Sequence, residues 1–226
     1  MRIPMNIKVI NYTPEALKLV SACARTCYNS RSKDNDKNRE TFIAGLVKAG
    51  HESPLENVTI TFDVSGVSRA LLAQITRHRV GASFCVQSQR YVTYNLDKWV
   101  PSVDYVVPPY IRGNYMLNKS YETFMNANRE AYKHLILAGA KAEDARMVLP
   151  QAFCTAFTLT LNVRALRHIL QLRLNHRAQW EIREFAHKLL EEARKVFGDA
   201  FFADILDTYS NDIKLYGDKK DEQNQS

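Results

Sequence analysis

The triplet Arg77-His78-Arg79 and the segment Ser88-Gln89-Arg90 concentrate hydrogen-bond donors, and eight residues separate them. Arginine offers five N–H donors in a planar fork that matches a phosphate group, and a serine hydroxyl adds one more. When a basic run of this kind stands alone, it is typical of a turn that faces water. The second donor set favours the alternative, which is a segment that binds an anion.

The residues just before the triplet strengthen the prediction of a site. Apolar side chains recur there at helical intervals, at Val67, Leu71, Leu72 and Ile75. Gln74, Arg77 and His78 are three and four residues apart, so a helix that reached His78 would place them on one flank beside the apolar stripe. We therefore predict one packed face next to a flank of donors.

More donors occur in the second half of the chain. Arg146 precedes three apolar residues, where an arginine could equally well snorkel from a packed helix. Arg164 and His168 are four residues apart and share a helix face, whereas Arg173 is about half a turn away from Arg164 at roughly 100° per residue. A helix with ligand groups on two faces must lie between two binding surfaces. We therefore expect an active site built from more than one chain.

Composition sets the class of protein. The chain has 226 residues, 46% of them hydrophobic, which suits one domain with a substantial core. A net charge of +7 favours anionic partners such as nucleic acid or phosphorylated metabolites. The first residues lack the long apolar core of a signal peptide and no run is long enough for a membrane span, so we expect a cytoplasmic protein.

The four cysteines do not predict a metal site. Cys23 and Cys27 are one helical turn apart, which does not match a zinc knuckle, and free thiols are expected for Cys154 as well. Cys85 lies between the two donor sets, so a nucleophilic thiol is an alternative. No general base stands beside it in the sequence.

Periodicity and turn residues predict an α+β fold with helices packed on a small, mostly antiparallel sheet. We predict a helix start at Thr13 (N-cap) and Pro14, a basic mobile loop over 29–37, and a strand that Gly66 ends. Residues 1–216 should form a single catalytic domain, and the polar tail 217–226 should be disordered. The predicted strands are 5–12, 55–64 and 153–161, and the predicted helices are 13–27, 38–49, one after Gly66, 115–138, 142–148, 163–175 and 180–197.

Five motifs carry a resemblance to a known family. They are RHRVGASFCVQSQRY at 77–91, HESPLE at 51–56, ARMVLP at 145–150, NVRAL at 162–166 and LQLRLNHRAQWEI at 171–183. With these motifs, roughly positions 40 to 185 closely resemble the flavin-dependent thymidylate synthases. The resemblance implies a homotetramer with FAD at subunit contacts and no cysteine nucleophile. It also implies reductive methylation of dUMP to dTMP, with methylenetetrahydrofolate as carbon donor and NADPH as the reductant of the flavin.

The resemblance also implies roles for individual residues. Arg173 would contact the uracil ring and favour ionisation of its N3, which makes it the catalytic residue. The residues implied to bind FAD are His51 near the ring, Ser53 near the phosphates, Arg77, His78, Arg79, Gln87, Asn162, Arg164 and His168. The residues implied to bind dUMP are Gln74, Arg77, Gln87, Ser88, Gln89, Arg90, Arg146 and Arg173.

Two positions depart from the family pattern. Many relatives have seven residues between the Arg-His-Arg triplet and the serine that follows it, and a Glu or Gln two residues before that serine. This sequence has eight residues there. The position two residues before Ser88 is Val86, and Gln87 is the nearest polar side chain. We assign the ligand position to Gln87. Several relatives carry Asn where His168 stands, and an imidazole there could change its charge with pH.

Two other classes of function compete with this one. A nucleic-acid-binding module would use the net positive charge to attract the phosphate backbone. The aromatic residues Tyr91, Tyr94 and Trp99 would serve as stacking platforms for bases. The arginines, however, are spread over distant segments and embedded among apolar residues, so we expect no nucleic acid and no membrane as partners. A flavoprotein with another substrate is disfavoured by the motif around Ser88 and Arg90.

Overall fold

The computed structural model describes residues 4–92 and 105–211. Four strands in these ranges, β1 (Asn6–Tyr12), β2 (Thr59–Ser68), β3 (Ala82–Val86) and β4 (Cys154–Asn162), form one antiparallel sheet in the order β1-β2-β4-β3. Helices account for most of the remaining chain, so the predicted α+β fold is confirmed. The helices are α1 (Ala16–Cys27), α2 (Arg39–Lys48), α3 (Arg69–Ile75), α4 (Pro109–Arg112), α5 (Tyr115–Leu137), α6 (Ala142–Ala145), α7 (Val163–Arg173), α8 (Trp180–Phe197) and α9 (Ala203–Thr208).

The chain divides into two compact units. The first unit consists of Met1–Asn6, Val64–Thr76 and Cys85–Thr158, and the second consists of Ile7–Asp63, Arg77–Phe84 and Leu159–Ser226. A core cluster of the first unit joins α5 to β4 and contains Met125, Tyr132, Ala145 and Phe153. The second unit buries the apolar faces of α7 and α8, including Leu166, Leu170, Phe185 and Leu189. The boundary of a single domain at residue 216 remains a prediction.

Side-chain caps fix where two helices that carry predicted site residues begin. The Ser68 hydroxyl accepts a hydrogen bond from the Leu71 amide at 3.0 Å, and α3 starts there. The Asn162 Oδ1 accepts one from the Ala165 amide at 2.8 Å, and α7 starts there. Each cap satisfies an amide that has no partner inside the helix, so it sets the register of the residues that follow.

Several predicted boundaries are wrong. Thr13 does not cap α1, because its hydroxyl accepts a hydrogen bond from the Thr59 amide at 3.0 Å; Glu15, with a φ of 47°, precedes the helix instead. Gly66 does not end β2, which continues through it to Ser68 with a glycine φ of 71°. Residues 53–57 form a 3-10 turn and not the start of that strand.

The segment after α3 also differs from the prediction. Helix α3 ends at Ile75, so Arg77 and His78 lie beyond it and do not share a helix flank with Gln74. The segment between the two donor sets contains β3, a strand that is not among those predicted from the sequence.

Two predicted irregular segments contain regular structure. The predicted mobile loop 29–37 contains two 3-10 turns, and Asp34 holds it through hydrogen bonds from Ser21 and Arg39. The stretch 99–110, in which no helix or strand is predicted, is described only from residue 105 onward, and α4 begins near its end, at Pro109. The predicted disordered tail, Tyr94 and Trp99 fall outside the described ranges.

Candidate functional site

The Arg-His-Arg triplet lies in the second unit, in a turn between α3 and β3, and it meets the end of α7. Arg77 and Arg79 are exposed, whereas His78 is half-buried. Arg173, the last residue of α7, donates from Nε to the His78 Nε2 at 3.2 Å, and its Nη2 lies 3.1 Å from the same nitrogen. The His168 ring packs edge-on against His78 with the ring centroids 6.0 Å apart. Residues from two distant segments therefore form one cationic cluster.

Two pKa values in this cluster are lowered, in part because positive charges lie close together. Burial lowers the pKa of His78 to about 4, and the charges of Arg173, His168 and Arg77 contribute to the shift. Burial also lowers the pKa of Arg173 from its usual value, with a further contribution from Arg77. Cations held this close repel one another, and an anionic ligand placed among them would relieve the repulsion. The cluster therefore has the electrostatics of an anion site.

A tight turn holds the triplet against the start of α7. Gly81 has a φ of 67°, and its carbonyl accepts a hydrogen bond from the Asn162 amide at 2.9 Å. A Cβ added to Gly81 would lie 2.5 Å from the Asn162 Nδ2, so the close approach requires glycine. Asn162, implied to bind FAD, thus also positions the backbone of this turn.

His51 and Ser53 belong to a segment that two arginines of α7 hold. Glu52 stands between His51 and Ser53 in the sequence. Its Oε2 lies 3.9 Å from the Nε of the exposed Arg164, and its Oε1 lies 2.9 Å from Arg167. Arg164 also pairs with Glu56. Arg167 is completely buried, and neither Arg167 nor Glu52 is among the site residues predicted from the sequence. The only sequence signal was the position of Glu52 inside the HESPLE motif.

In the first unit, Glu143 joins two of the predicted dUMP residues. Its Oε2 lies 2.7 Å from the Arg90 Nε, and its backbone carbonyl accepts a hydrogen bond from the Arg146 Nε at 3.1 Å. Glu143 therefore contacts Arg90 through its carboxylate and Arg146 through its backbone carbonyl. Glu143 is not among the site residues predicted from the sequence, although residues three apart, such as Glu143 and Arg146, are neighbours on a helix.

The segment after β3 carries the amide and hydroxyl donors. The Gln87 Oε1 is buried and has no hydrogen-bond partner among the described residues, whereas Val86 is the last residue of β3. A buried acceptor without a partner costs free energy unless a ligand or water meets it, which supports the choice of Gln87. The Ser88 hydroxyl accepts a hydrogen bond from the Arg90 amide at 3.1 Å. Gln89 is half-buried, and the Gln74 Nε2 lies 3.4 Å from the Ala70 carbonyl.

The two sets of predicted ligand residues divide between the units. All residues implied to bind FAD except Gln87 fall in the second unit, and all residues implied to bind dUMP except Arg77 and Arg173 fall in the first. The donor chemistry fits the phosphates of both ligands, because arginines and hydroxyls in each unit can donate to phosphate oxygens. The individual assignments remain predictions.

Within residues 4–92 and 105–211, no helix combines the length and the apolarity needed to cross a membrane. The same residues contain no group of three or more His, Cys, Asp or Glu side chains that could hold a metal ion.

A mixed helix-and-sheet fold that clusters arginine, histidine and amide side chains is typical of enzymes that bind anionic ligands. The particular family follows from comparison with known proteins. The family model described as Thymidylate synthase complementing protein matches residues 8–198, so the chain belongs to this family.

Two similar proteins are named flavin-dependent thymidylate synthase. The chain is 39% identical over 214 residues to the flavin-dependent thymidylate synthase of Nitratidesulfovibrio vulgaris, covering 86% of this chain and 84% of the relative. It is 37% identical over 197 residues to that of Pyrococcus furiosus, covering 84% of this chain and 80% of the relative. The fold is similar to a UMP/dUMP methylase, PolB from Streptomyces cacaoi, solved with 5-Br dUMP, with a TM-score of 0.75 and 24% identity over 89% of this chain and 96% of that one.

Proposed function

We propose that the chain is a flavin-dependent thymidylate synthase that methylates dUMP to dTMP, with FAD as its cofactor. The family match supports the reaction, and the cluster of Arg77, His78 and Arg173 is the structural observation that carries the proposal. NADPH and methylenetetrahydrofolate are the proposed co-substrates. FAD would supply the hydride chemistry when bound.

The residues of this chain would bind and polarise the substrate. Arg90 and Arg146 would hold the phosphate of dUMP, since a guanidinium fork matches phosphate oxygens. Arg173 would lie against the uracil ring, where a fixed cation stabilises negative charge at N3 and raises the electron density at carbon 5. Arginine stays protonated at neutral pH, so Arg173 would act electrostatically and would not donate a proton.

In the second unit, FAD would meet the Arg77-His78-Arg79 turn and the start of α7. Arg77, Arg79 and Ser53 are exposed and would bind its phosphates. Arg164 would exchange its ion pair with Glu56 for a ligand phosphate, since both partners are anionic oxygens. His51 and His168 are the candidates beside the ring.

The proposal includes a homotetramer with active sites between subunits. Its support is a set of exposed apolar side chains in the first unit, since large apolar patches on a protein surface mark interaction sites. Leu117 and Phe124 of α5 are seven residues apart, so they share one face of the helix, and they are 41% and 64% exposed. A cytoplasmic location is also proposed: all four cysteines are free thiols, as is usual in a reducing compartment.

The test is spectroscopic and chemical. Purified protein should be yellow, dUMP should perturb its flavin absorption, and reduced flavin should be oxidised with dTMP formation only when dUMP and methylenetetrahydrofolate are both present. A colourless protein that binds neither ligand would contradict the proposal, and one that binds oligonucleotides instead would favour the nucleic-acid alternative.

The thiol alternative has its own test. Cys85 is exposed, so its replacement by Ala should leave the fold intact. We expect Cys85→Ala to retain substantial dTMP formation, measured beside the exposed-thiol control Cys27→Ala. Complete loss of activity in Cys85→Ala, with the flavin still bound, would support a nucleophilic cysteine.

A further inference from the structure

We propose that His78 acts as a positioning residue for the substrate: its neutral imidazole accepts hydrogen bonds from Arg173 and fixes the guanidinium that faces the uracil ring. This inference rests on the proposed function, and it adds a second role to the flavin contact expected of His78. It concerns residues of the second unit only.

The geometry determines which nitrogen carries the proton. The Nε and Nη2 atoms of Arg173 converge on one atom, the His78 Nε2, at 3.2 and 3.1 Å. Every guanidinium nitrogen is a donor, so the His78 Nε2 must supply its lone pair and cannot carry a hydrogen. The imidazole is therefore neutral, with its hydrogen on Nδ1.

The contact leaves a defined part of Arg173 for the ligand. A guanidinium has two edges that present paired N–H groups, one formed by Nε and Nη2 and the other by the two terminal nitrogens. His78 contacts the first edge, so the terminal edge is left to meet a planar partner such as the O4–N3 edge of uracil. Without its acceptor, the side chain could rotate about its several single bonds, and ordering it on the substrate would cost entropy.

The surroundings of His78 keep its ring neutral. The charged groups that face it are Arg173, Arg77 and the imidazole of His168, and the ring is half-buried. Burial and these charges together hold its pKa at about 4. Near neutral pH the acceptor is therefore available, whereas a protonated ring would present a donor to the Arg173 donors.

A double-mutant cycle separates this role from a flavin contact. The variants are His78→Leu, Arg173→Ala and the double variant, and the readouts are the Kd of dUMP and, separately, the Kd of FAD. We expect His78→Leu to weaken dUMP binding about tenfold when Arg173 is present and by less than about twofold when it is absent. The loss of FAD affinity caused by His78→Leu should be the same whether Arg173 is present or absent.

Two further variants make the result specific. His78→Gln places an amide oxygen near the position of Nε2, so it should restore dUMP binding to within about threefold of wild type. His134→Leu, a change at an exposed histidine of α5 outside the predicted sites, is the matched control and should leave both Kd values unchanged. The proposal would be overturned if the losses of dUMP affinity in the two single variants simply add in the double variant. It would also be overturned if His78→Gln does not restore dUMP binding.

An independent readout uses no ligand. In ¹⁵N-labelled protein near neutral pH, the His78 Nε2 should resonate as an unprotonated nitrogen, and Arg173→Ala should raise the pKa of His78. A hydrogen on Nε2 would overturn the proposal. Wild-type protein that has the expected tautomer but binds neither FAD nor dUMP would instead refute the proposed function, and with it the role of the contact in substrate binding.

Discussion

At the scale of single residues, Arg173 is the side chain on which the proposed chemistry depends most. We expect Arg173→Ala to keep bound flavin but to lower kcat for dTMP formation by about 10²–10³-fold, because a preorganised charge at the reacting ring is lost. The measurement is single-turnover product formation with reduced, flavin-loaded protein. Arg194→Ala, which removes an exposed arginine paired with Asp199 on α8, serves as the control, and equal losses in both variants would contradict the assigned role.

His78 predicts how stability depends on pH. Its folded pKa is about 4, against a usual value of 6.5. Between these values the unfolded chain takes up a proton that the folded protein does not, so stability falls as the pH drops from about 6.5 to 4. Thermal unfolding across this range should show a smaller decrease for His78→Gln than for wild type. Identical pH profiles would show that His78 titrates normally.

The residue types were predictable from the sequence, but several of their contacts were not. The motifs identified Arg77, His78 and Arg173 as candidates, because donor-rich segments are local signals. The Arg173–His78 contact joins residues 95 positions apart, and no local spacing predicts it. Glu52 and Glu143 were missed for a related reason: each acts by holding arginines, and a glutamate in a sequence does not show which distant arginine its carboxylate contacts.

At the scale of elements, the turn between the triplet and β3 depends on glycine. We expect Gly81→Ala to destabilise the fold by about 1–3 kcal/mol, because the residue has a positive φ and its new Cβ would meet the Asn162 side chain. FAD affinity should fall as well, since the same turn positions Arg77 and Arg79. The measurements are urea unfolding at fixed protein concentration and flavin titration.

Gly45→Ala is the matched control for that prediction. Gly45 lies within α2, has an ordinary φ, and a Cβ there would meet nothing within 4 Å. Alanine should therefore stabilise the helix by about 0.5–1 kcal/mol and leave flavin binding unchanged. A Gly81→Ala variant as stable as Gly45→Ala would show that the turn tolerates a side chain.

Long periodic elements were predicted well, and their ends less well. Helix α8 has the predicted bounds, Trp180 to Phe197, because its amphipathic pattern is continuous over several turns. The start of α1 was wrong because the hydroxyl of Thr13 serves the neighbouring strand at Thr59, a tertiary contact that outweighs a local capping preference. Strand β3 was missed because it has only five residues.

At the scale of the whole molecule, the buried Arg167 links three parts of the second unit. It contacts Glu52 before β2, the Phe201 carbonyl at 2.6 Å, and Asp204 of α9 at 2.8 Å. We expect Arg167→Met to destabilise the protein by about 3–5 kcal/mol, because two carboxylates lose their shared cation. Arg194→Met, which breaks the exposed pair with Asp199, should cost about 0–1 kcal/mol. Denaturation midpoints of the two variants check both values. Similar losses of stability in Arg167→Met and Arg194→Met would contradict a stabilising role of the Arg167 network.

The interleaving of the two units governs how the protein can be made. Each unit is assembled from separate lengths of polypeptide, and the second requires residues from Ile7 onward together with Leu159 and beyond. On the ribosome the last segment of the first unit ends at Thr158, before the last segment of the second unit begins at Leu159, so the first unit is complete before the second. Neither unit can be excised as one continuous fragment, so limited proteolysis or truncation should yield no autonomous half.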